Sequence, residues 1–371
     1  MAMTDRQRVL AVLRGERADR MAWIPRMELW YRAAVKQDTL PDRYRGKTLR
    51  QIERALGCGT PARSGKIFTK RYENVEVVTR REEHLKITEY RTPVGTVREV
   101  MQFSDELTRH GLPGHVIEYP LKTPNDYRIW TYITEHTFWD AAYDAYDAYD
   151  RDIGDDGLPM TPIGDVPFHQ FVRELAGYDQ AFFHLVDYPD DVHALLRTLT
   201  DVFAERLLPL VLASPAVLLL HGGHLSTHYA PPPLFEKYIL PHCERFFGTL
   251  HAAGKFLTMH ADNDTSAILA QLRAGGWDLM ECFATAPLVR TTLADAFDAW
   301  DDDVAIWGGV PSSLLGPECP QRDFEAHLDA ILDAVQDRPR VILGISDNLM
   351  PGAYIERVEM ISRRLGLING E

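Results

Sequence analysis

The stretch "KFLTMHADNDTSAILAQLRAGGWDLMECFA", residues 255–284, decides how this chain folds. Its opening alternates with period two, as a strand does: Leu257, Met259 and Ala261 fall on one side, Thr258, His260 and Asp262 on the other. "TSAILAQLRAGG" then spaces its apolar residues helically and stops at Gly275-Gly276. "WDLMECFA" is again a strand, with Met280, Cys282 and Ala284 suited to one side and Leu279, Glu281 and Phe283 to the other. A strand, a helix and a second strand in succession form a parallel crossover.

The same beat extends both ways. Upstream lie "AVLLLH" and "PLFEKYILPHCERFFGTLHAAG"; downstream lie "TLADAFDAW", "VAIWGGV", "RDFEAHLDAILDAVQ", "RVILGIS" and "YIERVEMISRRLG". Repeated strand and helix from Ala216 onward imply a parallel sheet covered by helices. A single (β/α)8 TIM-type barrel domain spanning 1–371 suits a chain of 371 residues better than an open sheet. No G-x-G-x-x-G opens a helix and no G-x-x-x-x-G-K-[ST] occurs, so the dinucleotide and P-loop alternatives lack their phosphate chemistry.

Residues up to about 135 read as a helical and hairpin elaboration of that barrel. Thr4 and Gln7 have capping-box spacing ahead of a first helix, and "MAWIPRMELW" is a possible first strand. "HLKITEYRTPVGTVREVM" alternates around Thr92-Pro93-Val94-Gly95 as an inserted β-hairpin. The repeat "YDAYDAYD", 143–150, reads as an amphipathic helix packed on a core.

Composition narrows the function. A hydrophobic fraction of 45% supports a real core, and 54 acids against 40 bases give a net charge of −14, which argues against a nucleic-acid partner. Cys58, Cys243, Cys282 and Cys319 have no framework spacing, as expected of a reducing, cytoplasmic setting. No window reaches the ~20 apolar residues of a membrane span.

In a barrel of this kind the chemistry sits at the C-terminal ends of the strands. His260, Asp262, Glu281 and Asp347 come from three strand ends and should converge there. One histidine with two or three carboxylates suits Zn²⁺ or another divalent metal. Without a metal the same acids suit general acid and base work. "AVLLLHGGHLSTH" also delivers His221, His224 and His228, each of which on its own reads as a hydrogen-bonded core or cap residue before a functional one; Asp264 reads as a cap for the following helix.

The segments "TDRQRVLAVLRGERADRMAWIPR", "TPVGT", "LFEKYILPHCERFFGTLHAAGK", "MHADND", "VAIWGGVPSSLL" and "LGISDNLMPGAYIERV" resemble the uroporphyrinogen decarboxylase superfamily, which includes the corrinoid-linked methyltransferases. The resemblance implies a (β/α)8 barrel, commonly a homodimer, with its cleft at the strand C-termini. The decarboxylases hold porphyrinogen carboxylates with an arginine-rich N-terminal segment. Here "WIPRMELWYR" keeps Arg26 and offers Arg32, but Glu28 would repel an acidic substrate. The methyltransferase branch binds zinc through a His-x-Cys pair and a third ligand near the last strand. His260 matches that histidine, Asp262 stands where the cysteine would be, and Asp347 falls near the late ligand.

Oxygen ligands leave a harder ion, suited to polarising an ether oxygen. The expected activity is therefore transfer of a methyl group from a small methoxylated substrate to a corrinoid. Because D-x-H-x-x-G is missing from this chain, the corrinoid would arrive on a separate partner protein. Glu281 is expected as a fourth ligand or as the acid that protonates the leaving oxygen, with Arg26 and His221 as further catalytic candidates. A cofactor-free decarboxylase is the alternative, and a non-catalytic binding barrel is the third.

Overall fold

In the computed structural model of the protein, which describes residues 2–112 and 114–369, the alternation of strand and helix runs through the C-terminal half. The strands in chain order are β1 (Ala22–Trp23), β2 (Phe68–Tyr72), β3 (Glu76–Glu82), β4 (Leu85–Thr92), β5 (Gly95–Gln102), β6 (His115–Glu118) and β7 (Thr137–Ala141). They continue with β8 (Met160–Gly164), β9 (Leu218–Gly223), β10 (Phe256–His260), β11 (Leu279–Phe283), β12 (Ala305–Pro311) and β13 (Val341–Ser346). The chain groups into two compact units, one of Met1–Gly65, Asp147–Pro162 and Ala216–Glu371, the other of Lys66–Tyr146 and Ile163–Pro215.

The first unit holds a seven-stranded parallel sheet in the order β1-β13-β12-β11-β10-β9-β8. Every residue of β11, β12 and β13 is buried, which is why these strands are almost unbroken apolar runs: both faces are covered. Ala22 of β1, Met160 of β8, Leu218 of β9, Leu279 of β11, Trp307 of β12 and Ile342 of β13 meet in one cluster. Since the two edge strands share a cluster with the central one, the sheet must curl strongly. Val9, Val12 and Leu13 of the helix Asp5–Leu13 enter the same cluster, and that helix begins at the Thr4/Gln7 capping box read from the sequence.

The ladder has seven strands where eight were expected. The chain between Gly59 and Gly65 hydrogen bonds to both edge strands without joining the ladder. Gly59 donates to the Trp23 carbonyl at 3.0 Å, Met160 to Ala62 at 2.9 Å, and Gly65 to Met160 at 3.1 Å. This approach requires glycine at 65, because a Cβ there would lie 2.8 Å from the Met160 carbonyl oxygen.

In the second unit, β3, β4, β5 and β6 form an antiparallel sheet, and β2 pairs with β7. The expected hairpin is β4 with β5, closed by the pairing of Thr92 with Gly95. The Tyr/Asp repeat is helical, over Tyr143–Ile153. Its Asp150 binds Arg6 at 2.6 Å and its Tyr149 hydroxyl accepts from the Ser64 amide, so the repeat serves packing. No helix among the described residues is long and apolar enough to cross a membrane.

Candidate functional site

Four candidate residues come together at the ends of β10, β11 and β13. His260 is the last residue of β10 and is paired in register with Glu281 on β11 and Gly223 on β9. Its Nδ1 donates to Glu281 Oε2 at 2.6 Å, while its Nε2 lies 3.4 Å from Asp262 Oδ2 and 3.4 Å from Asp347 Oδ1. The ring therefore has two differently furnished sides: one buried carboxylate on Nδ1, and two more accessible carboxylates around Nε2.

Arg26, just beyond β1, donates to Asp347 at 2.7 Å. The same stretch is stitched to the end of β13 by Leu349 N to Arg26 O at 2.8 Å and Trp30 N to Leu349 O at 3.0 Å. His224 joins the cluster from the end of β9, with Nδ1 at 2.8 Å from both oxygens of Asp262 and its ring edge-on to His260. His221 does not join it. Its Nε2 lies 2.9 Å from Nε2 of His242, a residue of the helix Leu240–Ala252, and its ring contacts Phe247 on that helix. His228 is exposed. Asp264 accepts from the Ser266 amide at 3.0 Å and acts as a local turn cap.

Two members were not found from the sequence. Arg63, on the irregular 59–65 stretch, contacts Glu281 Oε1 and lies 3.4 Å from His260 Nδ1. Cys282, expected on the side of β11 opposite Glu281, instead brings its single thiol proton within reach of two acceptors, Glu281 Oε1 at 3.0 Å and the Asp347 carbonyl at 3.1 Å. The reason is a register shift between Glu281 and Phe283, with Cys282 at φ 55°, which breaks period-two alternation at that residue. His224 at φ 60° and Asp347 at φ 64° are also left-handed. Three of the eight non-glycine residues with positive φ among those described thus border one cluster, a costly arrangement of the kind that concentrates at functional sites.

The electrostatics follow from burial and pairing. Burial alone would raise the Glu281 pKa, but Arg63 and His260 hold it well below the usual carboxylate range. Asp262 is likewise held down against its burial, by the hydrogen bonds from His224 and His260. For His260 burial opposes the charged ring, and Glu281 outweighs it, so its pKa rises. Cys282 is pushed up to about 11 by burial and by the Glu281 charge, so it remains a thiol and serves as a donor.

The donor set around Nε2 matches a divalent ion better than the one around Nδ1. Tetrahedral bonds of about 2.0–2.1 Å place neighbouring ligand atoms about 3.4 Å apart. The Nε2 distances to Asp262 and Asp347 match that edge, and donor atoms of His224, His260 and Asp262 all lie within 4.8 Å of one another; His224 Nδ1, at 2.8 Å from both Asp262 oxygens, is a hydrogen-bond partner of that carboxylate, so His224 would reach the ion through its other nitrogen. His260, Glu281 and Cys282 form a second such group. Its contacts of 2.6 and 3.0 Å are hydrogen bonds too short for two ligands of one ion, and Arg63 puts a positive charge beside it.

Comparisons with known proteins agree with this architecture. No curated protein matches the sequence. A methyltransferase from Methanosarcina mazei shares the fold, with a TM-score of 0.52 over 98% of this chain and 98% of that chain at 12% identity. A dipeptide epimerase from Methylococcus capsulatus, solved with Mg and the dipeptide L-Arg-D-Lys, covers 76% of this chain and 89% of its own at 14% identity, but its TM-score of 0.17 carries no argument. Residues 168–364, more than half of the sequence, match the model of the uroporphyrinogen decarboxylase (URO-D) family, and the chain belongs to that family.

Proposed function

We propose that this protein is a metal-dependent methyltransferase that takes a methyl group from a small O-methylated compound and passes it to a corrinoid held by a separate protein. The observation that carries this reading is the equal 3.4 Å spacing of Asp262 and Asp347 from His260 Nε2. His260, Asp262, Asp347 and His224 are the residues that would hold the ion, and zinc is the ion best matched to a set of nitrogen and oxygen donors at tetrahedral spacing. When bound, the ion would supply Lewis acidity toward the ether oxygen of the substrate.

The remaining residues orient and balance charge. Glu281 is 2% exposed in its side chain and both oxygens are occupied, so we assign it the orientation of His260 rather than proton donation to substrate. Arg26 offsets the charge of Asp347 and stays partly open to solvent, at 26% side-chain exposure. Cys282 ties β11 to the end of β13 through the contact of its thiol with the Asp347 carbonyl.

A decarboxylase needs cationic groups free to hold substrate carboxylates. Both arginines at this cluster are committed instead, Arg26 to Asp347 and Arg63 to Glu281, and three carboxylates surround the histidines. This supports methyl transfer over decarboxylation. We further propose a closed (β/α)8 barrel in which residues 59–65 take the eighth position, supported by their hydrogen bonds to both edge strands and by the family. Cytoplasmic location and a homodimer complete the proposal.

The test is a methyl-transfer assay on a panel of methoxylated compounds with a reduced corrinoid protein as acceptor. Zinc-dependent methylation that disappears in His260→Ala is the expected result. Release of carbon dioxide from a polycarboxylate substrate, with no methylation, would replace this reading with the decarboxylase.

A further inference from the structure

A histidine presents one definite nitrogen to a metal only when its other nitrogen is engaged elsewhere. In His260 that engagement is built in depth. Nδ1 donates to Glu281 Oε2 at 2.6 Å, and Glu281 is itself held through Oε1 by Arg63 and by the Cys282 thiol, at 3.0 Å. Arg63 is largely buried, at 20% side-chain exposure, on a stretch pinned at both ends by backbone bonds to β1 and β8.

A long arginine side chain is ordinarily at the surface. This one is directed inward onto a buried carboxylate whose other partners are the His260 ring and the Cys282 thiol. Its position has two consequences for the ring. It fixes the rotamer of Glu281 and thereby the orientation of His260. It also places a fixed positive charge 3.4 Å from Nδ1, which repels a cation approaching from that side. Both effects leave Nε2, with Asp262 and Asp347, as the face open to an ion.

We infer that Arg63 is a positioning residue that, through Glu281, assigns Nε2 of His260 to the metal and keeps ions away from Nδ1. The inference rests on the metal reading of the site given above. It goes beyond that reading in naming a residue that touches neither ion nor substrate and in naming the ligating atom.

The experiment compares zinc affinity, by competition with a chromophoric chelator, for wild type, Arg63→Met and Arg63→Lys. Arg63→Met should bind zinc about 10–100-fold more weakly, the usual effect of losing an outer-shell partner, and Arg63→Lys should restore most of the loss by returning the charge. A second readout is the ¹⁵N spectrum of histidine-labelled, zinc-loaded wild type, with His260 assigned by its loss in His260→Gln. A proton on Nδ1 and a shifted, unprotonated Nε2 are expected.

Zinc on Nδ1, or an unchanged affinity in Arg63→Met, would overturn the inference while leaving the metal site intact. A wild type that binds no zinc would instead sink the metal reading, and this inference with it. If Arg63→Met fails to fold, Glu281→Gln carries the comparison, since it keeps an acceptor for Nδ1 and removes the charge that Arg63 braces. About tenfold weaker binding is then expected, and unchanged binding would refute the assignment.

Discussion

Replacing Asp347 by alanine separates a ligand from a simple partner of Arg26. Asp347 Oδ1 is 2.7 Å from Arg26 Nη1 and 3.4 Å from His260 Nε2, so the carboxylate serves a salt bridge and the proposed ion together. The salt bridge is partly exposed, at 26% and 35% for the two side chains, and is worth at most about 1 kcal/mol to folding. The ion is a larger matter. Zinc sites held by four protein ligands have apparent binding free energies of about 10–16 kcal/mol, so an average ligand contributes about 2.5–4 kcal/mol, or roughly 10²–10³ in affinity. Asp347→Ala should therefore bind zinc about 10²–10³-fold more weakly, yet melt within a few degrees of wild type. Chelator competition and thermal unfolding of the metal-free proteins measure the two effects separately. Wild-type zinc affinity in Asp347→Ala would show that the residue only pairs with Arg26, and the tetrahedral reading of its spacing would be wrong.

Two further predictions concern buried groups near and away from the cluster. Glu53 accepts a hydrogen bond from Thr60 and is pushed up to about 8 by burial, from 4.5. The folded state then holds a proton that the unfolded chain releases above its lower pKa, so stability should fall by up to about 5 kcal/mol as pH rises from 4.5 to 8, and level off above. Urea unfolding at pH 5 and pH 9 should show that loss in wild type and not in Glu53→Gln; parallel behaviour would refute it. Cys282, a buried thiol pushed up to about 11, should resist iodoacetamide in the folded protein at neutral pH. Cys282→Ala should keep its zinc but lose about 1–3 kcal/mol of stability, because the one thiol proton shared by the Asp347 carbonyl and Glu281 is lost. Rapid labelling, or loss of zinc, would place the thiol among the ligands instead.

The sequence showed most where side chains obey a simple period. Thr258 and His260 fall on one face of β10 as the alternation requires, paired in register with Leu279 and Glu281 of β11. The β4/β5 hairpin was visible for the same reason. Cys282 was misplaced because one irregular residue inverts the alternation, and nothing in "MECFA" marks that residue. Arg63 was invisible for a different reason. Its surroundings, "GTPARSGK", carry turn residues and no apolar period, so they read as surface loop, whereas backbone bonds to two strands draw them into the core. Among His221 within β9 and His224 and His228 after it, spacing alone could not separate the one that meets Asp262 from the one that meets His242. That choice depends on the left-handed turn at His224, where the strand has already ended.

The most direct measurement of the central claim is zinc X-ray absorption on the purified, zinc-loaded protein. If the ion sits between His260 Nε2, Asp262, Asp347 and His224, the first shell contains only nitrogen and oxygen, at about 2.0–2.1 Å, with the outer scattering pattern of imidazole. The same spectrum recorded on His260→Ala should lose that ordered shell. A sulfur scatterer at about 2.3 Å would put the ion on Cys282 and the Nδ1 side of the ring, and a shell of water oxygens alone would show that the cluster holds no metal.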